Sequence, residues 1–356
     1  MKTELFDYPL PDEAIARYPT RDRDGARMLI VERDRLVHSW VRSLPALVPP
    51  GALVVVNETR VRKARLFGAR QPGGGKVELF LLGPASGLAS RRWRALGRAN
   101  KPLRPGTRVD VGGVLFEVVS VAGDGIIEVD VEQEDVESLI ERVGHVPIPP
   151  YLGRDDEPSD AERYQTVYAR AGGSVAAPTA GLHLTDESIA ELCTQGRRFG
   201  RLVLEVGLGT FRPVTAGDLD DHAMHAERYS VSEELVREVR EARARGAKVI
   251  AIGTTVVRAL ESAADPERLG EVRPVRAEET RLLIQPGYRF RVVDALLTNF
   301  HQPRSTLLAL VAAFVGRDRM LSAYEEAMRR GYRFLSYGDA MWIPERAGGA
   351  EQGAVG

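Results

Sequence analysis

Residues 290–315 read FRVVDALLTNFHQPRSTLLALVAAFV, two apolar segments separated by a short polar one. The first segment, residues 290–297, has the length of a buried strand, whereas residues 305–315 have the length and apolar content of a buried helix. A strand that leads into a helix is the repeating unit of α/β domains. Residues 53–57 (LVVVN) fit the same fold, because strands covered on both faces are apolar along their length.

The polar residues between this strand and this helix predict part of an active site. Asn299 and His301 follow the strand, at the edge where open α/β sheets bind their ligands. Arg304 and Ser305 begin the helix, whose unpaired N–H groups attract a carboxylate, a phosphate or an oxyanion. An ordinary strand–turn–helix connection also accounts for this segment when it is considered alone.

The composition limits the class of protein. The chain has 356 residues, 44% of them hydrophobic, which is enough for two domains. Its formal net charge of −1 excludes a global basic field, so an RNA contact would need a local patch. Cys193 is the single cysteine, which excludes an internal disulfide and a multi-cysteine metal site. Without a signal-peptide pattern or a long apolar stretch, we expect a cytoplasmic protein without a membrane span.

The residue pattern changes along the chain and indicates a second domain. Short strand-like runs alternate with turn clusters at residues 76–82, 115–121 and 126–131. Such runs without a long helix are typical of a small antiparallel barrel. We therefore predict an α/β main domain of residues 1–61 and 148–344, with a smaller antiparallel β-barrel domain of residues 62–147 inserted in it. The glycine-rich residues 345–356 are predicted to form a flexible tail.

A segment rich in small residues, SVAAPTAGLHLT at 174–185, is a candidate ligand loop. Its small side chains and Gly181 let a ligand approach the main chain, and Thr179 and His183 supply polar contacts. The alternative is a tight loop in which His183 only bonds a carbonyl group.

Two further segments could bind a small ligand. EVGLGT at 205–210 places Gly207 and Gly209 after a strand, although it lacks the full spacing of a dinucleotide loop. Farther along, Thr254 and Arg258 lie at the start of a predicted helix, where they could bind a carboxylate or a phosphate. A structural ion pair is the alternative for Arg258.

The segment DHAMHAERYS at 221–230 brings His222, His225 and Glu227 within six positions. These residues could be metal ligands, but the HExxH spacing is absent and no further ligand is evident. A histidine beside a carboxylate is equally the composition of a general base held in one tautomer. Surface polar residues before a helix are the third interpretation.

A local excess of positive charge lies in the predicted barrel. The stretch contains no Asp or Glu, and its basic residues are Arg91, Arg92, Arg94, Arg98, Lys101, Arg104 and Arg108. Such a patch can bind the phosphate backbone of RNA. An arginine-rich face that only contacts solvent is the alternative.

Taken together, the segments resemble the S-adenosylmethionine:tRNA ribosyltransferase-isomerase family of queuosine biosynthesis. The resemblance extends from FDYPLP at 6–11 to DAMWI at 339–343, in family order. It is carried by NETRV, WRALGRANKPLRPG, GHVPIPPYL, ERYQTVYA, APTAGLH, EVGLGTF, HAMHAERY, IGTTVVRALES, TNFHQPRSTLL and YRFLSYGDAMWI. The chain departs from the usual family residues at Glu58, Ala226, Gln302 and Arg304.

The resemblance implies a function and a fold. Family enzymes transfer the ribosyl part of S-adenosylmethionine to 7-aminomethyl-7-deazaguanine at the tRNA wobble position and isomerise it, giving epoxyqueuosine-tRNA, adenine and methionine. The implied fold is an α/β domain with a β-barrel domain. The implied partners are S-adenosylmethionine, as a co-substrate, and the tRNA. No metal or other cofactor is implied, and we expect a monomer.

The reaction assigns hypothetical roles to the candidate residues. A base must remove the proton acidified by the sulfonium, and we predict catalytic roles for His225 held by Glu227, for His183 and for His301. Contacts to S-adenosylmethionine are predicted for Thr179, Gly181, Gly207, Gly209, Thr254, Arg258, Asn299, Arg304 and Ser305. Contacts to tRNA are predicted for Arg91, Arg92, Arg94, Arg98, Lys101 and Arg104.

Other functional classes stay open from the sequence. A metal-dependent hydrolase would use His222, His225 and Glu227 as ligands. A non-catalytic RNA-binding protein would use the barrel alone. A paralogue with a different acceptor would keep the segments that bind the donor.

Overall fold

A computed structural model describes residues 1–85, 91–122, 125–132, 135–207 and 214–347. The strands, numbered along the chain, are β1 (Arg27–Val31), β2 (Leu36–Trp40), β3 (Leu53–Asn57), β4 (Thr59–Val61), β5 (Arg65–Gln71), β6 (Lys76–Pro84), β7 (Arg92–Ala99), β8 (Arg108–Val111), β9 (Val114–Val121), β10 (Ile126–Val131), β11 (Ala171–Ser174), β12 (Arg198–Leu204), β13 (Glu227–Val231), β14 (Val249–Ile252), β15 (Val275–Thr280), β16 (Ala295–Asn299) and β17 (Ala340–Ile343). The helices are α1 (Leu44–Leu47), α2 (Val136–Val143), α3 (Asp160–Arg163), α4 (Asp186–Thr194), α5 (Glu233–Ala244), α6 (Thr254–Ser262), α7 (Thr306–Val315) and α8 (Arg317–Arg329).

The α/β part is built on a mixed sheet, in which the described residues supply nine strands in the order β15-β13-β12-β3-β14-β16-β17-β1-β2. Neighbouring strands β12, β3, β14 and β16 are parallel. The strands that flank this group, β13 and β17, run antiparallel to it. This arrangement brings the carboxyl ends of the four parallel strands to one edge, which is where α/β proteins bind ligands.

Helices cover both faces of the sheet, which explains why β3 is apolar and buried along its length. Successive side chains of a strand point to opposite faces. Val55 accordingly packs in the core shared with α5, α6, α7 and α8, whereas Val54 and Val56 pack in the core shared with α1 and α4. The expectation of an α/β sheet is confirmed.

The strand predicted at residues 290–297 begins later in the structure, at Ala295. The reason is the buried carboxylate of Glu261 on α6, which accepts the N–H groups of Val292 and Val293 at 3.0 Å each. These main-chain groups therefore bond a side chain instead of a neighbouring strand. An apolar run has the same appearance whether its N–H groups bond a neighbouring strand or a side chain, so the sequence could not show where this strand begins.

The barrel predicted from the turn-rich region is confirmed. In the described residues, six antiparallel strands close in the order β10-β7-β6-β5-β8-β9. Buried and less buried residues alternate along β6, as a barrel with a packed interior requires. Helix α2 adds Leu139 and Ile140 to the same core. The domain boundaries that we drew from the sequence stay predictions.

Two other expectations concern the ends of the molecule and membranes. Most of the predicted tail, residues 348–356, lies outside the described residues. No helix in the described part of the chain combines the length and apolarity needed to cross a bilayer.

Candidate active site

A pocket lies at the carboxyl ends of β14 and β16, where α6 and α7 begin. Its empty space is about 690 Å³, part of which is open to solvent. The lining includes the predicted residues Thr179, Thr254, Asn299, His301 and Ser305. Among the described lining residues there is no Asp, Glu, Lys or Arg. A ligand there would therefore meet hydroxyl, amide and imidazole groups and main-chain N–H groups.

The first turn of α6 opens toward this pocket. Its N-cap is Gly253, with φ of +97°, a conformation that favours glycine, and no side chain caps the helix. The first N–H groups of a helix lack the usual partner within it. At the start of α6, the N–H of Gly253 bonds the carbonyl of Leu297 at 2.8 Å and that of Val256 bonds the carbonyl of Gly253 at 3.1 Å, which leaves the N–H groups of Thr254 and Thr255 for a ligand. The first turn of α7 differs, because Ser305 Oγ accepts a hydrogen bond from Leu308 N at 3.2 Å.

Asn299 joins three parts of the chain beside the pocket. Its Nδ2 donates to the carbonyl of Leu335 at 3.2 Å and lies 3.1 Å from Nε2 of His183. The side chain is only 2% exposed, and its Oδ1 has no hydrogen-bond partner among the described residues. Leu335 itself adopts a positive φ of 70°. This conformation is uncommon for a non-glycine residue, and such residues cluster at functional sites.

Burial keeps the two histidines of this region neutral. Desolvation lowers the pKa of His183 to about 4 and that of His301 to about 3. Nε2 of His301 is 2.8 Å from the hydroxyl of Thr298, and His301 lines the pocket directly. His183 instead reaches the pocket through Asn299. At neutral pH both imidazoles are therefore uncharged, and each has a ring nitrogen that can accept a hydrogen bond.

Two tyrosines fix the main chain of His301. Its N–H donates to the hydroxyl of Tyr324 at 2.9 Å, and its carbonyl accepts a hydrogen bond from the hydroxyl of Tyr8. Tyr8 belongs to the segment FDYPLP at residues 6–11, so the N-terminal part of the chain helps to position the predicted site.

Glu227 and Arg258 form a buried ion pair close to the pocket. Their side chains are 5% and 8% exposed, and Nη1 of Arg258 bonds Oε2 of Glu227. Oε1 of Glu227 accepts from Gly207 N at 3.1 Å, while Nε of Arg258 donates to the carbonyl of Leu282 at 3.1 Å. The pair thus connects β13, α6 and the predicted loop at Gly207. Because Arg258 is engaged with Glu227, the structural ion pair considered from the sequence is present.

No hydrogen bond or ion pair joins His225 to Glu227 among the described residues. Its side chain is exposed, and the carboxylate meant to orient it is directed to Arg258. His222 is partly buried, and this burial lowers its pKa. Among the described residues, no three His, Cys, Asp or Glu side chains are grouped in a way that could hold a metal ion. The hypothesis of a metal-dependent hydrolase therefore has no support in the geometry.

Gly181 and Arg304 lie near the pocket but not in its lining. A Cβ on Gly181 would come within 2.0 Å of the Tyr168 hydroxyl, so packing explains the glycine. Arg304 is exposed, and its main-chain N–H donates to the carbonyl of Phe6 at 2.8 Å. Gly209 lies outside the described residues.

Sequence reasoning missed part of the pocket wall. Tyr151, Leu335 and Ser336 line it, and the hydroxyls of Tyr151 and Ser336 are 2.6 Å apart. None of these residues lies at a turn between a strand and a helix, so the pattern used for the other candidates could not identify them. Their one signal was the family resemblance of GHVPIPPYL, which contains Tyr151, and of YRFLSYGDAMWI, which contains Leu335 and Ser336.

The basic residues of the barrel are on its surface, but they are not equivalent. All six predicted tRNA contacts are exposed: Arg91, Arg92, Arg94, Arg98, Lys101 and Arg104. Arg92 pairs with Asp130 at 3.0 Å, and Arg91 Nε donates to the carbonyl of Val131 at 3.0 Å. Arg94 and Arg98 form no ion pair with any described residue. Arg98 also lines a cleft that contains Pro147 and Pro150.

Comparisons with known proteins agree with the resemblance seen in the sequence. The family model described as "Queuosine biosynthesis protein" matches residues 3–343. A protein of Sorangium cellulosum named S-adenosylmethionine:tRNA ribosyltransferase-isomerase is 54% identical, over 96% of this chain and 98% of its own. A protein of the same name from Anaeromyxobacter dehalogenans is 47% identical, over 97% of this chain and 100% of its own.

A solved structure is also similar. The crystal structure of an S-adenosylmethionine tRNA ribosyltransferase from Thermotoga maritima aligns with a TM-score of 0.52 and 33% identity, covering 95% of this chain and 99% of that one. The family model spans nearly the whole chain, and the relatives match at nearly full length. The chain therefore belongs to the queuosine biosynthesis protein family.

Proposed function

We propose that this chain transfers the ribosyl group of S-adenosylmethionine to 7-aminomethyl-7-deazaguanine at the tRNA wobble position and isomerises it. The products are epoxyqueuosine-tRNA, adenine and methionine. One observation carries the proposal: a single pocket is lined by residues of APTAGLH, IGTTVVRALES, TNFHQPRSTLL and YRFLSYGDAMWI. These are segments through which the chain resembles the family, and the fold brings them from far-separated parts of the chain to one pocket.

The described lining carries no charged side chain, so the donor would be held there by polar side chains and main-chain groups. Neither guanidinium lines the pocket: Arg258 bonds Glu227 through Nη1, although its buried Nη2 has no partner among the described residues, and Arg304 is exposed. We therefore do not assign the methionine carboxylate to either of them. The uncapped first turn of α6, which begins at Thr254, supplies N–H groups for it instead. In this assignment the helix N-terminus takes the role first given to an arginine.

His301 is the imidazole that lines the pocket and is neutral at physiological pH. We assign it to accept the proton that the sulfonium acidifies on the adjacent ribose carbon. His301→Gln should therefore abolish release of adenine and methionine while binding of the donor persists. His225→Ala is the matched control, since His225 is exposed and should be dispensable. Equal turnover by both variants would contradict this assignment.

The tRNA is assigned to the barrel and the adjacent cleft. Arg98 and Pro150 line the cleft, and Tyr151, the next residue along the chain, lines the pocket. An anticodon loop bound in the cleft would therefore lie beside the mouth of the donor site.

Charge removal tests this assignment. The double variant Arg94→Ala/Arg98→Ala should raise the Michaelis constant for tRNA and reduce the salt dependence of binding by roughly one unit of slope per lost phosphate contact. Arg108→Ala is the control, because Arg108 already pairs with Glu117 at 3.0 Å. An unchanged salt slope in the double variant would show that these arginines do not contact the tRNA.

Mass spectrometry of a reaction with S-adenosylmethionine and tRNA that carries 7-aminomethyl-7-deazaguanine tests the function as a whole. Adenine, methionine and epoxyqueuosine should appear together. Adenine and methionine without a modified tRNA would indicate a different acceptor. A donor that is never consumed would refute the proposed reaction.

A further inference from the structure

The amide of Asn299 has one orientation that its surroundings permit. The carbonyl of Leu335 can only accept hydrogen bonds, so the atom that faces it at 3.2 Å must be the Nδ2 donor. The second hydrogen of Nδ2 points to His183 Nε2 at 3.1 Å. Both donors of the amide are thus used within the protein.

Oδ1 is the remaining polar atom of this side chain. It is buried and has no hydrogen-bond partner in the described structure, whereas buried side-chain oxygens normally have one. Asn299 also belongs to the pocket lining. Because Nδ2 is fixed by Leu335 and His183, Oδ1 is held as a hydrogen-bond acceptor and cannot exchange places with a donor. A ligand that completes the site must supply an N–H or O–H group.

The proposed donor molecule has three kinds of such groups: the adenine N6 amino group, the ribose hydroxyls and the α-ammonium of methionine. An ammonium ion calls for a carboxylate, and the described lining contains none. The ribose must meet an amine carried by a tRNA, which is far too large to enter the pocket, so the ribose has to lie toward the mouth. Of the two lining residues, Asn299 is 2% exposed and His301, to which the ribose proton is assigned, is 9% exposed, so Asn299 is the more enclosed of the two.

We propose that Oδ1 of Asn299 accepts a hydrogen bond from the N6 amino group of adenine and thereby selects a 6-amino purine nucleoside as the donor. This inference rests on the proposed function and adds a specificity-determining residue to it. The N6 group does not react, because the bond that breaks joins the purine to the ribose. Asn299 therefore acts on affinity for the donor, with His183 and Leu335 as the residues that position it.

Deaminated S-adenosylmethionine, which carries a 6-oxo group in place of the amine, is the direct probe. Its oxygen would face Oδ1, so two acceptors would oppose each other in a buried site. Calorimetry on the whole protein without tRNA should show the 6-oxo compound binding roughly tenfold to hundredfold more weakly than S-adenosylmethionine. Equal binding of the two compounds by the unaltered protein would overturn the proposal, and this measurement needs no variant.

Asn299→Ala tests the residue itself. The ratio of the two affinities should fall to near one, mainly through weaker binding of S-adenosylmethionine, while thermal melting verifies that the variant is folded. A ratio unchanged from the unaltered protein would overturn the proposal.

The 2′-deoxy analogue of the donor distinguishes the base from the sugar. Asn299→Ala could abolish the difference in affinity between S-adenosylmethionine and this analogue while keeping the difference for the 6-oxo compound. In that case Oδ1 bonds a ribose hydroxyl, and the proposal is wrong. If the unaltered protein fails to bind S-adenosylmethionine both alone and with tRNA present, the proposed function is refuted instead. The two failures are therefore separable.

Discussion

The buried pair of Glu227 and Arg258 allows a sharp test of what holds the candidate site together. Glu227→Gln keeps the shape of the side chain and an oxygen for Gly207 N, but it removes the negative charge. The guanidinium of Arg258 then has no counter-charge from Glu227, and at 8% exposure its side chain cannot recover that compensation from water. The variant thus isolates the effect of an uncompensated buried cation.

The size of the effect follows from the burial of both partners. Removing one member of a buried ion pair costs about 3–5 kcal/mol. An α/β unit of roughly 250 residues has an unfolding entropy of about 0.5 kcal/mol per degree, so the melting temperature should fall by about 6–10 °C. Arg273→Ala provides the matched control, because Arg273 and Glu278 pair at 2.7 Å with 42% and 47% exposure. Exposed pairs contribute about 0–1 kcal/mol, so this control should lower the melting temperature by about 2 °C at most.

Scanning calorimetry or melting followed by circular dichroism measures both variants. The double variant Glu227→Gln/Arg258→Met should recover most of the lost stability, because it removes the cation together with its counter-charge. If Glu227→Gln melts no lower than Arg273→Ala, or if the double variant is worse than the single one, the charge pair does not stabilise this region as the structure indicates.

Three further predictions concern the same part of the molecule. Folding lowers the pKa of His183 from 6.5 to about 4, so the unfolded chain takes up this proton at a higher pH than the folded one. The free energy of unfolding should therefore fall between pH 6.5 and pH 4, by up to about 1.4 kcal/mol per pH unit. Denaturant titrations of His183→Gln should show a smaller decline over this range than the unaltered protein. Gly181→Ala should cost about 1–3 kcal/mol, because the new Cβ would lie 2.0 Å from the Tyr168 hydroxyl, and adding Tyr168→Phe should restore part of it in the same titration. Thr185→Ala should cost about 1 kcal/mol by thermal melting, because Thr185 Oγ1 accepts the N–H of Ser188 at 3.1 Å and caps α4; a loss no larger than for an exposed alanine substitution would contradict the cap.

Much of the fold could be predicted because its signals are local. The strand at residues 53–57 and the strand at residues 126–131 were predicted with the bounds that the structure gives. Ser232, directly before α5, is a residue type that favours the N-cap position, and its hydroxyl accepts the N–H of Leu235 at 3.1 Å. Apolar runs and caps depend on neighbouring residues, so a sequence window contains the information.

The membership of the candidate site was predictable only in part. Polar residues at strand-to-helix turns, such as Thr254 and Asn299, line the pocket because the carboxyl ends of parallel strands share one edge. His225 looked equivalent in sequence but lies exposed, since its supposed partner Glu227 is used by Arg258. Tyr151 and Ser336 followed no such pattern and were missed.

The sequence by itself determined the α/β sheet, the barrel and the family resemblance. The periodicity of hydrophobic residues, the helix caps and the uncommon family segments each depend only on residues that are close together in the chain. The tertiary structure alone decided which groups are charged, neutral or engaged. His183 and Asn299 are 116 positions apart, and Glu227 and Arg258 are 31 apart, so their pairing arises only when distant segments pack. Burial in the packed structure lowers the pKa of His301. The same packing pairs Arg258 with the carboxylate of Glu227 and leaves Oδ1 of Asn299, a pocket-lining residue, without a partner among the described residues.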